Sequence, residues 1–281
     1  MFVAHTMAGP SGKLAGWASR WLTDELSALA KNGSWEAAIA TFAAMQNTNI
    51  VDSNVFHYTT VIEGCSRTGM WEAALATFAH MNAKSVSPNV FTYTSLIKCC
   101  GNAMKPNMAL LAFSQMQKAG VPPNIRTLTT LVAACAKSNR WERAVSLVQN
   151  AHEFQIAPNV FTYTSAIDGC RRSGRWDVSM ALLTKMTKQR ESWPNGITYN
   201  TVLAACNAGG SRDGALATFA AMVSDGYAPV TYTQTQLLGL FAGTTLEGDV
   251  LAMQLRQTAG ADNRHVPDSD PQTAESSASS T

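Results

Sequence analysis

The sequence has few charged residues and no long apolar segment. Charged side chains make up 14% of the 281 residues, against about 25% in ordinary soluble proteins. The hydrophobic share of 46% is still high enough to exclude a chain that is disordered throughout. A net charge of +2 gives no sign of a polyanionic partner. No apolar run approaches the ~18 residues that a membrane-spanning helix needs, so we expect no association with a membrane.

Motifs for metal binding and catalysis are also missing. The six cysteines contain no C-x-x-C pair, and the five histidines form no H-E-x-x-H arrangement. The sequence has no G-x-S-x-G, no P-loop and no G-x-G-x-x-G between a strand and a helix. We therefore expect no enzymatic activity, no metal and no cofactor, and the sparse cysteines favour a reducing compartment.

What the sequence does contain is a repeat of 35 residues. The segment NVFTYTS occurs at residues 89–95 and again at 159–165, with a close variant at 54–60. Five cysteines follow the same step, with separations of 35, 35, 35 and 36 residues: Cys65, Cys100, Cys135, Cys170 and Cys206. This period divides the chain into units 19–54, 55–89, 90–124, 125–159, 160–195 and 196–230, followed by a degenerate unit 231–258.

Each unit has the hydrophobic pattern of two amphipathic helices. Apolar residues recur at i, i+3, i+4 and i+7 twice within a unit, as in Tyr58 to Cys65 and again from Trp71. Gly69 and Gly174 occupy the expected C-cap between the two helices. A proline shortly precedes each unit from residue 90 onward: Pro88, Pro123, Pro158, Pro194 and Pro229. We expect an all-α solenoid of stacked helix-turn-helix units, with the cysteines and the tryptophans that open second helices in its core.

The two ends of the chain differ from the repeats. Residues 1–18 contain no acidic residue, and we expect them to be a flexible N-terminus with a mild likeness to a targeting segment. Residues 259–281 are rich in Asp, Ser, Thr and Pro, which predicts a disordered tail.

Two polar places recur that helix packing does not require. The fifth residues of the units are Thr23, Thr59, Thr94, Thr129, Thr164 and Asn200, and the closing residues are Asn54, Asn89, Asn124, Asn159, Asn195 and Val230. Asn before a helix is a good N-cap, and Thr is tolerated in a first turn, so each place alone has a purely structural explanation. Capping would accept Ser, Asp or Asn equally and makes no demand five residues further on. The recurrence of both places therefore favours a binding function.

Two further places complete the candidate site. The second residues are Phe56, Phe91, Arg126, Phe161 and Ile197, whose flat or long side chains could stack on bases or pack between the units. The thirteenth residues include Lys31, Arg67, Lys137 and Arg172, which suit phosphate contacts or the C-terminal end of a helix dipole. Units 19–230 hold 18 basic and 13 acidic residues, so the repeats are more basic than the whole chain.

The 35-residue unit resembles the pentatricopeptide repeat of the P type, with V-F-T-Y-T-S-L-I, then W-E-A-A-L-A-T-F-A-H-M, and a closing P-N. The resemblance covers residues 19–258. It implies a right-handed superhelix that binds single-stranded RNA, in which the fifth and the closing residue of each unit select one base. In that family Thr paired with Asn is associated with adenine, which implies an A-rich target for units 19–195. Asn200 with Val230 departs from this pairing and implies a pyrimidine.

The resemblance also implies where and how such a protein acts. Family members usually work in mitochondria or chloroplasts on the stability, processing or translation of transcripts, with the N-terminal unit toward the 5′ end of the RNA. Without an appended catalytic domain, passive binding is the implied mode. The alternative is a helical-repeat scaffold that holds a protein partner in its concave groove.

Overall fold

The computed structural model describes residues 13–48, 53–188 and 192–241, and these residues are almost entirely helical. The first helices of the units are α1 (Lys13–Asn32), α3 (Val55–Thr68), α5 (Val90–Asn102), α7 (Ile125–Lys137), α9 (Val160–Arg172), α11 (Gly196–Ala208) and α13 (Thr231–Phe241). The second helices are α2 (Trp35–Thr48), α4 (Trp71–Ala83), α6 (Pro106–Lys118), α8 (Trp141–Gln149), α10 (Trp176–Thr187) and α12 (Arg212–Ser224). A short 3-10 helix covers Ala151–Phe154.

The helices stack as an all-α solenoid, which confirms the predicted fold class. Each first helix packs against its own second helix and, most closely, against the first helix of the next unit. Consecutive second helices contact each other much less. The stack therefore curves with its first helices on the inner, concave side, and a residue that recurs in each first helix forms a row along that side.

The two ends of the array extend differently from the predicted boundaries. Helix α1 begins at Lys13, ahead of the expected start of the first unit at residue 19. The degenerate unit is described only as far as the end of α13, and the tail 259–281 and residues 1–12 lie outside the described residues. Within the described ranges, no helix combines the length and apolar character needed to cross a membrane.

The turn between the two helices of a unit depends on a left-handed backbone conformation. The fifteenth residue of each complete unit has a positive φ between 56° and 75°: Gly33, Gly69, Met104, Asn139, Gly174 and Gly210. Glycine takes this conformation without the steric cost of a Cβ. Gly69 is the C-cap of α3, as predicted, whereas the C-cap of α9 is Ser173 and Gly174 follows it. Met104 and Asn139 adopt the same left-handed conformation despite the steric cost of their Cβ atoms.

The cysteines that mark the period are core residues, as predicted. Cys65, Cys100, Cys135, Cys170 and Cys206 have no exposed surface. Burial raises the pKa of the Cys135 thiol to about 11, so it stays protonated at neutral pH. A buried neutral thiol packs as a small apolar side chain. The tryptophans that open second helices are only half-buried, and cations of the next unit cover two of them. Arg175 lies 4.5 Å from the ring centre of Trp141, and Lys105 lies 5.3 Å from that of Trp71.

Small residues allow consecutive first helices to approach closely. At three junctions a glycine of one helix faces an alanine of its neighbour: Gly64 faces Ala30, Gly101 faces Ala134, and Gly169 faces Ala136. A Cβ placed on Gly101 would lie 2.6 Å from the Cβ of Ala134. These contacts fix the spacing between the helices that line the concave side.

We predict that Gly101→Ala destabilises the protein although alanine is the better helix former. The added methyl group would force α5 and α7 apart, and overpacking of this kind costs about 1–3 kcal/mol. Urea unfolding followed by circular dichroism measures the difference. Gly239→Ala in α13 is the matched control, because its Cβ would meet only the Asn207 amide at 3.5 Å. That control should be neutral or gain up to ~1 kcal/mol. Equal effects of the two substitutions would contradict the close-packing account.

Candidate nucleic-acid interface

The second residue of each unit projects from the concave side into solvent. Phe56, Phe91, Phe161 and Ile197 are 52%, 65%, 66% and 68% exposed, and Arg126 is exposed as well. The alternative in which these side chains pack between the units is therefore wrong. A row of exposed apolar side chains, interrupted here by Arg126, is typical of a surface that binds a ligand.

The groove between successive second residues holds the fifth and closing residues that the sequence analysis singled out. One cavity of about 450 Å³ lies between Arg126 and Phe161, with Thr129 and Asn159 in its wall. Another, of about 300 Å³, lies between Phe161 and Ile197, with Thr164 and Asn195 in its wall.

A wider cavity of about 610 Å³ spans the two preceding steps. It lies along Phe56, Phe91 and Arg126, and both Thr59 with Asn89 and Thr94 with Asn124 line it. From residue 55 to residue 197, the structure thus brings each predicted pair together beside its predicted stacking residues.

The closing asparagine of each unit caps the next first helix. Asn89, Asn124, Asn159 and Asn195 each accept a hydrogen bond at Oδ1 from the backbone N–H three residues on, at 2.9 to 3.0 Å. A backbone N–H can only donate, so the Oδ1 atom is fixed toward the helix and the Nδ2 amide faces away from it. The capping explanation is correct, and it leaves the amide group available in the groove.

The third residue of each following unit joins the two members of a pair. Thr127 is fully buried, and its hydroxyl lies 2.8 Å from Thr94 Oγ1 and 3.0 Å from Asn124 Oδ1. The same bridge recurs at three more junctions through Thr92, Thr162 and Thr198, each also fully buried. Every predicted Thr–Asn pair from residue 59 to residue 195 is therefore connected through a threonine of the next unit.

The donors in the bridge between Thr94 and Asn124 follow from hydrogen-bond chemistry. Asn124 Oδ1 can only accept, so the Thr127 hydroxyl must donate its proton to it. The 2.8 Å contact between Thr94 and Thr127 then needs the Thr94 hydroxyl as donor. Thr94 thus uses its proton within the protein and keeps oxygen lone pairs, while Asn124 keeps its N–H donors. The pair presents one acceptor and one donor.

The two ends of the array vary this bridge. At the first junction, the Nδ1 atom of buried His57 accepts a hydrogen bond from the Asn54 backbone N–H. The imidazole proton is therefore on Nε2, which donates to Thr23 Oγ1 at 3.1 Å. At the last junction Val230 has no polar side chain, and Thr233 donates to Asn200 Oδ1 at 2.6 Å. In both cases the third residue donates to the fifth residue rather than to the closing residue.

The predicted cations are exposed on the same helices, but they are not equivalent. Lys137 lines two of the groove cavities. Arg172 lines one of them but is paired with Asp168, with Nε and Oδ2 3.1 Å apart. Lys31 and Arg67 are exposed and have no ion-pair partner among the described residues. Lys137 is therefore the best placed of the four for a phosphate.

The sequence analysis missed three contributors to this groove. Lys98 lies beside Phe56 and Phe91 in the largest of these cavities. Tyr232, 51% exposed, continues the row of second residues into the degenerate unit. The last contributor is the row of buried residues at the third position of each unit. In the sequence this row shows as a polar residue that recurs on an otherwise apolar stripe. Within the described part of the chain, no group of three or more His, Cys, Asp or Glu side chains is arranged to hold a metal ion.

Family models match most of the repeat array. The PPR repeat family matches residues 53–102, the pentatricopeptide repeat domain matches 111–173 and 181–244, and the PPR repeat matches 91–121 and 161–190. No curated protein matches the sequence.

Solved structures with the same architecture include two relevant neighbours. The pentatricopeptide repeat protein PPR10 from maize aligns with a TM-score of 0.68 and 25% identity, over 84% of this chain and 34% of that protein. The chain thus spans about a third of the maize protein. The PPR domain of protein-only RNase P 1 from Arabidopsis thaliana, in complex with tRNA, aligns with a TM-score of 0.50 and 18% identity, over 70% of this chain and 95% of that domain.

We predict that His57 makes the stability of the first junction depend on pH. Burial lowers the pKa of His57 below its ordinary value of 6.5. Between that lowered pKa and about 6.5 the unfolded chain binds more protons than the folded one. The free energy of unfolding therefore keeps its maximum value above pH 6.5 and falls as the pH drops through this window. Urea unfolding at pH 7.5 and 5.5 measures how much free energy of unfolding each protein loses on acidification. The loss should be smaller for His57→Thr than for the wild type, because this substitution installs the residue found at the other junctions. Equal losses in the two proteins would contradict this role.

Proposed function

The chain belongs to the pentatricopeptide repeat family, and from this premise we propose that it binds single-stranded RNA along its concave groove with one base per unit. The observation that carries the proposal is the repeated acceptor and donor pair between exposed second residues. The maize neighbour has also been solved in complex with an 18-nt psaJ RNA element, which supports RNA as the ligand class.

Hydrogen-bond complementarity supports adenine as the preferred base. The Watson–Crick edge of adenine carries the N6–H donor next to the N1 acceptor. A Thr oxygen that can only accept and an Asn amide that can only donate match these two atoms. This assignment applies to the pairs that begin at Thr59, Thr94, Thr129 and Thr164. For Thr23 with Asn54 the adenine assignment rests on the family pairing alone, because His57 donates to Thr23 there. Asn200 has its Oδ1 occupied by Thr233, so it presents N–H donors, which suits the acceptor-rich edge of a pyrimidine.

The row of second residues supplies the stacking surfaces. A base that enters the cavity between Phe161 and Ile197 would lie between their exposed side chains, and a base beside Arg126 would meet a guanidinium plane. Stacking on an aromatic side chain contributes about 1–3 kcal/mol per base and tolerates any base. The stacking residues therefore provide affinity, and the Thr–Asn pairs provide selectivity.

Phosphate contacts complete the binding mode with a modest charge. Lys98 and Lys137 line the groove cavities, and each neutralised phosphate adds to the salt dependence of binding. We propose that the protein acts by occupying a short A-rich segment of an organellar transcript, in a mitochondrion or a chloroplast. Occupation alone protects the segment from nucleases and keeps it single-stranded, and it needs no catalytic group.

We predict that the protein distinguishes homopolymers by base. Fluorescence anisotropy with labelled oligo(A), oligo(U) and oligo(C) of equal length should give the tightest binding for oligo(A), because the adenine edge matches the acceptor and donor pairs. One hydrogen bond lost per base, at about 1 kcal/mol each, would separate the ligands by well over tenfold. Equal affinity for the three RNAs would contradict base reading. No binding to any of them would favour a scaffold for a protein partner.

We predict that Thr94→Asn changes the base preference of unit 90–124 alone. The new side chain would bring an amide with N–H donors to this register, so under the family pairing the preference should shift from adenine toward cytosine. The test compares an oligo(A) ligand with ligands that carry one cytosine at this register or at the register of unit 125–159. The affinity order should reverse only for the first ligand. An unchanged order would refute the assignment of the pair.

A further inference from the structure

We propose that the third residue of each unit is a specificity-determining positioning residue for the preceding unit, because it decides which atom of the Thr–Asn pair donates. The inference rests on the proposed function and extends it to a row of residues that the base does not touch. The row consists of His57, Thr92, Thr127, Thr162, Thr198 and Thr233, and all of these side chains are at least 97% buried.

The first support is that each threonine hydroxyl in this row has at least two hydrogen-bond partners. At the junction 89–92, Thr92 Oγ1 donates to Asn89 Oδ1, lies 2.8 Å from Thr59 Oγ1 and accepts the Asn89 backbone N–H at 3.4 Å. The Thr59 hydroxyl also lies 2.7 Å from the Val55 carbonyl, where it is the only possible donor, so its one proton serves either Val55 or Thr92. At the junction 124–127 the described contacts include no such second acceptor for Thr94, and Thr127 donates to Asn124 and accepts from Thr94. The proton order along Thr94, Thr127 and Asn124 is therefore set by the fold before any RNA binds.

The second support is that capping does not require this hydroxyl. The backbone N–H of Thr127 already donates to Asn124 Oδ1 at 2.9 Å, so this N–H of the first turn of α7 has its hydrogen-bond partner. Any residue at position 127 would supply that N–H except proline. The Thr127 hydroxyl is needed only to connect Asn124 with Thr94, whose described hydrogen bonds include no other partner for its side chain.

The third support is that the direction of donation changes where either the pair or the third residue changes. Thr233 donates to Asn200 because Val230 offers no side-chain acceptor, and this fixes the Asn200 amide as a donor toward the groove. His57 donates to Thr23 from Nε2 because its Nδ1 accepts the Asn54 N–H. The third residue thus acts as a relay, and its chemistry determines whether the fifth residue gives or receives a proton.

The test replaces the relay at one junction. Thr127→Val keeps the shape of the side chain and removes the hydroxyl, so the Thr94 hydroxyl can rotate and both donate and accept. The preference of unit 90–124 for adenine over other bases, measured with single-base changes in an oligo(A) ligand, should fall about fivefold to tenfold. The preference at unit 125–159 should stay as in the wild type, and Thr127→Ser should restore the lost preference.

Two measurements keep this proposal separate from the proposed function. NMR of the free protein should detect the Thr94 hydroxyl proton in slow exchange with water, and Thr127→Val should abolish that signal. Rapid exchange in the wild type would overturn the relay whether or not the protein binds RNA. If the wild type prefers adenine and Thr127→Val keeps the full preference at unit 90–124, the relay is wrong while RNA binding stands. A wild type without base preference would instead contradict the proposed function, and the NMR result would still decide the relay.

Discussion

The close packing of consecutive first helices is the constraint on which the rest of the structure depends. A single helix pair cannot bury its apolar stripe, so each unit must lay its first helix against the next one. Glycine and alanine at the contact points, as at Gly101 and Ala134, allow the backbones to approach. The same approach brings position five of one unit within hydrogen-bond distance of position three of the next. The groove chemistry is thus a direct consequence of the core packing.

The closing asparagine links helix formation to ligand recognition. A first helix needs a partner for its open N–H groups, and Asn124 provides it with one side-chain atom while its second polar atom stays in the groove. Serine would cap with its only oxygen, and aspartate would leave an acceptor instead of a donor. The choice among capping residues is nearly neutral for the helix. It is decisive for what the groove presents to a base.

Much of this organisation could be predicted from the sequence, because the constant period identifies equivalent positions in successive units. The spacing of Cys65 and Cys100 by 35 residues was enough to place both thiols in the core and to align the fifth and closing residues in rows. The start of α1 at Lys13 was not predictable, because the segment before the first unit has no earlier repeat against which to compare it.

The role of Thr127 was missed for a different reason. A threonine on an apolar stripe carries no sign of its partners, and those partners lie in two different units. Its contacts with Thr94 and Asn124 depend on the distance between α5 and α7, which no count along the chain provides. The pairing of Arg172 with Asp168 could have been suspected from their spacing of four residues, and it weakens one of the predicted phosphate contacts.

The low charge of the chain is consistent with a binding mode that depends on prearranged hydrogen-bonding groups more than on electrostatic attraction. A strongly basic groove would hold any RNA and would reduce the ratio between the right and the wrong base. Here the exposed second residues from Phe56 to Tyr232, apolar or aromatic except for Arg126, supply contact area. The buried hydroxyl bridges arrange donors and acceptors before the RNA binds. Because little side-chain entropy is left to lose on binding, each short unit can discriminate with only two polar atoms.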